Sequence, residues 1–112
     1  MPRQSLAHAD LVEPIVLALV AGRPMYGYEM IREVDERTGG LFRWQEGMLY
    51  PHLHRMEGAG LLRAEWREAG GRGRKYYAPT RKGRAALAAG SAEWRTFSTA
   101  VNAMLFSGHA PA

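Results

Sequence analysis

The sequence predicts a mainly helical fold carrying one small β-hairpin, and three observations carry that prediction. Apolar residues recur at helical spacing in three successive segments; one strictly alternating run is folded back on itself by a glycine-rich turn; and a final segment with alternating three- and four-residue apolar spacing is too long for the domain it closes. Helix, helix, helix, two-stranded wing, long helix is the order of a winged helix-turn-helix with an appended C-terminal helix.

The first helix is predicted from Asp10 to about Ala21. Asp10 and Glu13 have capping-box spacing, and Pro14 falls where a helix tolerates it. Leu11, Val12, Ile15, Val16, Leu17, Leu19 and Val20 cover most of its circumference, so the helix is expected to be buried on two sides, one of them against another subunit. "GRP" (residues 22–24) breaks the chain. "YGYEMIREVDERTG" then sets Tyr28, Ile31 and Val34 on one stripe, and Gly39 and Gly40 end the second helix.

The third helix lies within "EGMLYPHLHRMEGAGLL" (residues 46–62). Pro51 lacks an N–H, which is harmless in a first turn, so the helix is expected to begin at about Gly47 or Met48 and to stop at "GAG". Leu49, Leu53 and Met56 form its apolar face; Gly47, Tyr50, Pro51, His54 and Arg55 form the opposite one. "LLRAEWRE" alternates Leu62, Ala64 and Trp66 against Arg63, Glu65 and Arg67, "AGGRG" turns, and "RKYYAP" returns; parity with Pro79 buries Tyr77 and exposes Tyr76. Thr80 is a good N-cap for a last helix running to about Phe106. Leu87, Gly90, Trp94, Phe97, Val101 and Met104 then make a helix-helix seam. At the standard rise this helix is roughly 40 Å long, more than so small a domain covers, which calls for a second chain. The division is therefore a DNA-binding region over residues 1–79, a dimerisation helix over 80–106 and a flexible tail over 107–112.

The bulk properties fit that reading. A chain of 112 residues makes one domain whose core gains from oligomerisation. Its 15 Lys and Arg give a formal charge of +4, which permits a polyanionic partner. With no cysteine there is neither disulfide nor thiolate chemistry. The longest apolar run, residues 15–21, is too short to span a bilayer, and the first ten residues lack the regions of a signal peptide, so a cytoplasmic protein without a membrane partner is expected.

In a winged helix the third helix enters the major groove and the hairpin lies over adjacent backbone. This makes Gly47, Met48, Tyr50, Pro51, His54 and Arg55 of the helix, with Arg72, Arg74, Lys75 and Tyr76 of the wing, the candidate contacts to double-stranded DNA. Tyr50 stands beside an N-terminal turn whose amides suit a phosphate, and the arginines and lysine flank a glycine-rich turn. As a surface tyrosine and a solvated basic turn, the same residues need no ligand. "PMYGYEMI", "EGMLYPHLHRME", "GLL", "GRGRKYYAPTRKGRAAL" and "EWRTFSTAVNAML" together resemble the PadR family of bacterial transcriptional regulators, from about Ile15 to Leu105, and most closely its short-tailed branch with one helix after the wing. The resemblance implies a homodimeric repressor of a nearby transporter or detoxification gene that leaves its pseudo-palindromic operator when an effector binds. Where members commonly have Thr before "LYP", this chain has Met48, which exchanges a hydroxyl for a group suited to a thymine methyl.

Leu87, Trp94, Phe97, Val101, Met104 and Leu105 are the expected dimer interface. Trp94, with Phe97, either packs that interface or walls a site for a planar aromatic effector, as tryptophans on this helix do in some PadR relatives. His52 and His54 lie two apart on a helix, about 200° from each other, and so do not share one metal ion; His52 is expected to pack and His54 to face outward. "GGRGR" lacks the ending of a phosphate-binding loop and no serine stands in a nucleophile motif, so neither enzyme, metal nor cofactor is expected. The competing class is a winged helix used as a protein-protein module, since fold does not fix function. A basic glycine-rich wing beside a polar outer helix face favours nucleic acid; an interaction module would show an apolar patch there.

Overall fold

The computed structural model describes residues 11–106. Its order is α1 (Val12–Gly22), α2 (Gly27–Arg37), α3 (Glu46–Gly58), β1 (Leu62–Ala69), β2 (Arg72–Pro79) and α4 (Arg81–Leu105). The winged helix-turn-helix with a long last helix is therefore the observed fold. Among the described residues the one sheet is the antiparallel β1–β2 hairpin.

The core gathers the inner faces of three helices and the root of the wing. Leu49, Leu53 and Met56 of α3 are fully buried against Val16 and Val20 of α1, Met30 and Val34 of α2, Leu62 of β1 and Tyr77 of β2. Each such side chain contributes about 1.5–3 kcal/mol by leaving water. On α1 the chain itself covers Val12, Val16, Leu17, Leu19 and Val20. Its N-cap is Leu11, with no side-chain cap; the expected Asp10 cap lies outside the described residues. Glu13 turns instead to α3. On α2 the buried stripe is Gly27, Met30 and Val34, with Ile31 half-buried, whereas Tyr28 is exposed. Tyr28 thus belongs to the surface rather than to the stripe on which spacing placed it.

Helix α3 starts earlier than its proline suggests. Gln45 is extended and its carbonyl accepts from both Met48 (3.0 Å) and Leu49 (2.9 Å), which fixes the first turn at Glu46. Pro51 therefore sits in the second turn, and the carbonyl of Gly47 lacks its usual i+4 donor. Exposure of both residues on the outer face makes this tolerable. The helix ends in a Schellman motif: Gly60 N–H donates to Glu57 (3.0 Å), Leu61 N–H to Met56 (2.9 Å), and Gly60 takes φ +80°.

The wing is longer and its turn tighter than expected. Ala69 pairs with Arg72, so the turn is Gly70-Gly71 alone, with φ of +62° and +81°, the left-handed pair a two-residue hairpin requires. Arg72 and Gly73 consequently belong to β2. Trp66 shares a face with buried Leu62 yet is 69% exposed, because the hairpin has by then run past the core.

At the far end, Thr80 caps α4. Its hydroxyl oxygen accepts from Gly83 N–H at 2.9 Å and donates to the Gly60 carbonyl, and its own N–H reaches the Leu61 carbonyl at 3.1 Å. Gly83 is buried so closely that a Cβ would lie 3.3 Å from Leu17 and overlap the Leu61 carbonyl. Thr80→Ala is expected to cost about 1 kcal/mol for the cap. Gly83→Ala is expected to cost about 1–3 kcal/mol, because the obstructing atom is backbone. Urea unfolding of both variants checks the order.

Candidate nucleic-acid interface

One groove collects five of the ten sequence-selected DNA contacts. It lies between the outer side of α3, the N-terminus of α2 and β2, and it has a volume of about 750 Å³. Tyr50 and His54 line it from α3, and Arg72, Arg74 and Lys75 from the wing. Pro51, one turn from His54, and Gly47, two turns from it, are exposed on the same helix face but do not line the groove; Gly47 borders a separate hollow. Tyr26, Gly27, Tyr28, Glu46, Trp66, Gly73 and Tyr77 complete the lining. Reasoning from the outer face of α3 and the cations of the wing misses these seven as groove residues. Only Gly27 carries a sequence signal, a poor helix former in the first helical position.

That glycine exists for contact. A Cβ on Gly27 would stand 2.7 Å from Cζ of Tyr50, so α2 approaches the Tyr50 ring as closely as a backbone can. Glu29 steadies the approach by accepting from Tyr26 N–H at 3.2 Å. Partial burial, then the nearby Glu46 carboxylate, push the Tyr50 phenol above its ordinary pKa, so it remains a neutral hydroxyl donor at neutral pH.

The wing cations are held in different ways. Lys75 Nζ lies 3.2 Å from Glu57 of α3 and 5.6 Å from the Tyr77 ring centroid. The hydrogen bond to Glu57 raises the Lys75 pKa. Arg74 stacks over Tyr26 at 4.5 Å and donates to its hydroxyl. Arg72 is exposed at the tip, and no ion pair involves it among the described residues.

Three candidates lie elsewhere. Met48 is half-buried against the core and lines a separate hollow with Val12, Phe42 and Trp44, a quarter turn from the outer face. Arg55 pairs with Glu13 of α1, which also accepts from His52 Nδ1 at 3.0 Å; His52 is therefore the packed histidine, and Arg55 is drawn toward α1. Tyr76 is half-buried rather than exposed, edge-on to Tyr26 at 5.3 Å with Arg67 stacked 4.6 Å from its ring centre. The sequence-based expectation for Tyr76 overlooked Tyr26, which covers that face of β2.

The PadR-like transcriptional regulator family model matches residues 16–89, which spans α1 through the first third of α4 and contains every residue of the groove. The chain belongs to the PadR family. It is 52% identical over 72 residues to Transcriptional regulator Rv3488 of Mycobacterium tuberculosis, covering 64% of each chain. It is 33% identical over 95 residues to a Lysinibacillus sphaericus protein, covering 84% of this chain and 86% of that one. Among solved structures, a PadR-like transcriptional regulator from Bacillus cereus superposes with a TM-score of 0.81 at 30% identity, over 96% of this chain and 100% of that one. A transcriptional regulator from Clostridium thermocellum gives 0.82 at 25% identity, over 93% and 99%.

As a PadR-family protein the chain is a transcriptional regulator. Among the described residues no group of three or more His, Asp or Glu is placed to hold a metal, and no helix is long and apolar enough to cross a membrane. The second surface of this PadR chain is the free end of α4. Leu87 packs against the core, but beyond it Trp94, Phe97, Met104 and Leu105 are exposed and Val101 is half-exposed. Trp94 and Phe97 lie 5.9 Å apart, ring to ring.

Removing Glu57 tests the wing's attachment to α3. Because the folded pKa of Lys75 is raised, the pair, while Glu57 is ionised, stabilises the fold below the ordinary lysine value and loses that contribution as pH rises through the folded one. Glu57→Gln is expected to return the Lys75 ammonium toward the ordinary lysine range in an NMR titration of Nζ; an unchanged titration contradicts the contact.

Proposed function

We propose that this PadR-family protein is a homodimeric, cytoplasmic repressor that binds a pseudo-palindromic DNA operator through the α3–wing groove and is released by a small-molecule effector. The observation that supports DNA most is the convergence of Tyr50, His54, Arg72, Arg74 and Lys75 on one groove. Helix and wing there present cations and aromatic rings together, which suits phosphates and base edges. The exposed crest of Gly47, Pro51 and His54 carries no large apolar side chain, which suits a major groove better than a protein-docking face. In this arrangement Arg72 is the primary phosphate contact, Tyr50 gives a hydroxyl to backbone, and His54 reaches base edges. Met48, Arg55 and Tyr76 serve from the margins: Met48 and Arg55 set the pose of α3, and Tyr76 sets that of the wing.

Dimerisation is supported by the exposed apolar length of α4. Trp94, Phe97, Val101, Met104 and Leu105 form a stripe that a second α4 covers, and a two-fold axis then places two recognition helices about one helical turn of DNA apart. Trp94 and Phe97, adjacent and half-exposed, offer a stacking wall for a planar aromatic effector between subunits. Such an effector acts only if it favours one separation of the α3 helices, since equal affinity for both states shifts nothing.

Salt-dependent binding separates the wing cations. Arg72→Ala is expected to weaken all duplexes alike and lower the salt slope by about one unit. Lys75→Ala lowers it less, because Lys75 must first leave Glu57. His54→Ala changes the ranking of duplexes, by about 1–3 kcal/mol where a base contact is lost. Binding that ignores all three substitutions contradicts the docking. Light scattering at micromolar concentration is expected to return a dimer, and truncation after Leu87 a monomer that binds operator weakly.

A further inference from the structure

The hollow beside α1 shares no lining residue with the groove. Its volume of about 770 Å³ is that of a small-molecule site. Its walls are the start of α1 at Val12, the α2–α3 connector at Leu41, Phe42 and Trp44, and α3 at Met48 and His52. Apolar surface dominates them, and Leu41 is 74% exposed whereas Trp44 is buried. The connector wall is held by hydrogen bonds rather than by packing. Gly40 N–H donates to the Asp35 carbonyl at 2.8 Å, and Leu41 N–H to that of Thr38 at 3.1 Å. Phe42 N–H donates at 3.0 Å to the Thr38 hydroxyl, which in turn donates to the Val34 carbonyl at 2.8 Å. Gly39 and Gly40, with φ of +62° and +84°, give the left-handed turn this path requires. A wall so fixed does not fold onto Met48, and the hollow is formed before any occupant arrives.

Arg43 is the one lining residue with a fixed charge. Its Nε donates to the Gly40 carbonyl at 3.1 Å, which orients the guanidinium. No carboxylate pairs with it among the described residues, Asp35 beside Gly40 included. An apolar hollow with a single oriented and unneutralised guanidinium suits a ligand that has an apolar body and one anionic head. The body it fits is an alkyl chain. Trp44 is only 8% exposed and offers little ring face for stacking, while Leu41 and the flexible Met48 give aliphatic surface that moulds to a chain.

We propose that this hollow binds an alkyl carboxylate, its chain along Leu41 and Met48 and its head on Arg43, and that the bound acid acts as an effector through α3. The site is separate from the wall of Trp94 and Phe97. Its effect on operator rests on the reading of α3 as the helix that docks on DNA; binding of the acid does not. Met48 lies in the first turn of α3, and His52, one turn on, ties the same wall to Glu13 of α1. A chain wedged between the connector and Met48 favours an α3 moved off the connector, whereas operator favours α3 as it stands. The two ligands therefore oppose each other without touching.

Decanoate, kept below the concentration at which it forms micelles, is the probe, followed by amide chemical shifts of the full chain. Shifts are expected at Leu41 to Trp44, Met48 and His52, with Trp94 and Phe97 unmoved. Arg43→Gln is expected to weaken decanoate about two- to fivefold, the range of an exposed ion pair, and to leave uncharged decanol unaffected. Leu41→Asp, at an exposed position, is expected to weaken both by roughly tenfold or more. Circular dichroism checks that each variant is folded. Saturating decanoate is expected to weaken a duplex selected from randomised DNA by about fivefold or more, and the duplex to weaken decanoate by the same factor. Shifts confined to Trp94 and Phe97, or binding indifferent to Leu41→Asp, overturn the site. Equal losses of decanoate and decanol in Arg43→Gln overturn the assignment of the anionic head. Shifts at the hollow that appear only once Met104→Asp and Leu105→Asp are introduced give the hollow to the α4 of a second copy and overturn it as well. Binding at the hollow with unchanged duplex affinity overturns the effector role alone. If the duplex also ignores Arg72→Ala and His54→Ala, the failure lies in the groove reading instead.

Discussion

The stretch from Tyr77 to Gly83 holds the molecule together. Tyr77 exchanges two backbone hydrogen bonds with Met25, N–H to carbonyl at 2.9 and 3.2 Å, so the α1–α2 connector joins the hairpin as a third strand one residue long. Its ring is buried among the helices. Three residues later Thr80 bonds the end of α3 and caps α4 at once, and Gly83 lets α4 lie on the Leu61 carbonyl. Within seven residues the chain fixes the wing, the start of α2, the end of α3 and the direction of the last helix.

The candidate DNA surface depends on that fixation. The groove is formed by α3, the N-terminus of α2 and β2, and its lining is polar or aromatic, so little hydrophobic burial holds its walls in place. Its width is set instead by the Met25–Tyr77 pairing at one end and by Lys75–Glu57 and Arg74–Tyr26 nearer the tip. Glu13 adds a brace on the opposite side of α3 through His52 and Arg55. Helix α3 is thereby clamped on both flanks while its crest stays open. The first turn of α4 is tied to the end of α3 through Thr80.

Much of this was legible in the sequence, for reasons that differ residue by residue. Leu49, Leu53 and Met56, Thr80 as a cap and buried Tyr77 follow from periodicity, local hydrogen-bond chemistry and strand parity, all of which act within a few residues. The misplacements share the opposite property. Tyr76 is half-buried because of Tyr26, fifty residues away, and Arg55 turns aside because of Glu13, forty-two residues away. Trp66 lies on the core face but beyond the reach of the core, which parity cannot measure. Pro51 misled through a rule applied too strictly: a proline on an exposed face, following an extended N-cap with two acceptor bonds, is accommodated in a second turn. Gly27 was visible as a letter, but its reason, the Tyr50 ring, is tertiary.

The central claim is that duplex DNA docks on the outer face of α3 with the wing beside it. Amide chemical-shift mapping of the protein during titration with its selected duplex addresses this most directly, since each backbone N–H reports its own surroundings. The account predicts the largest shifts at Gly47, Tyr50 and His54 of α3, at Gly27 and Tyr28 of α2, and at Gly70 to Arg74 of the wing, with those of Leu41 to Trp44 nearly unmoved. Shifts concentrated at Leu41 to Trp44 or along the exposed end of α4, with the groove residues silent, would contradict it.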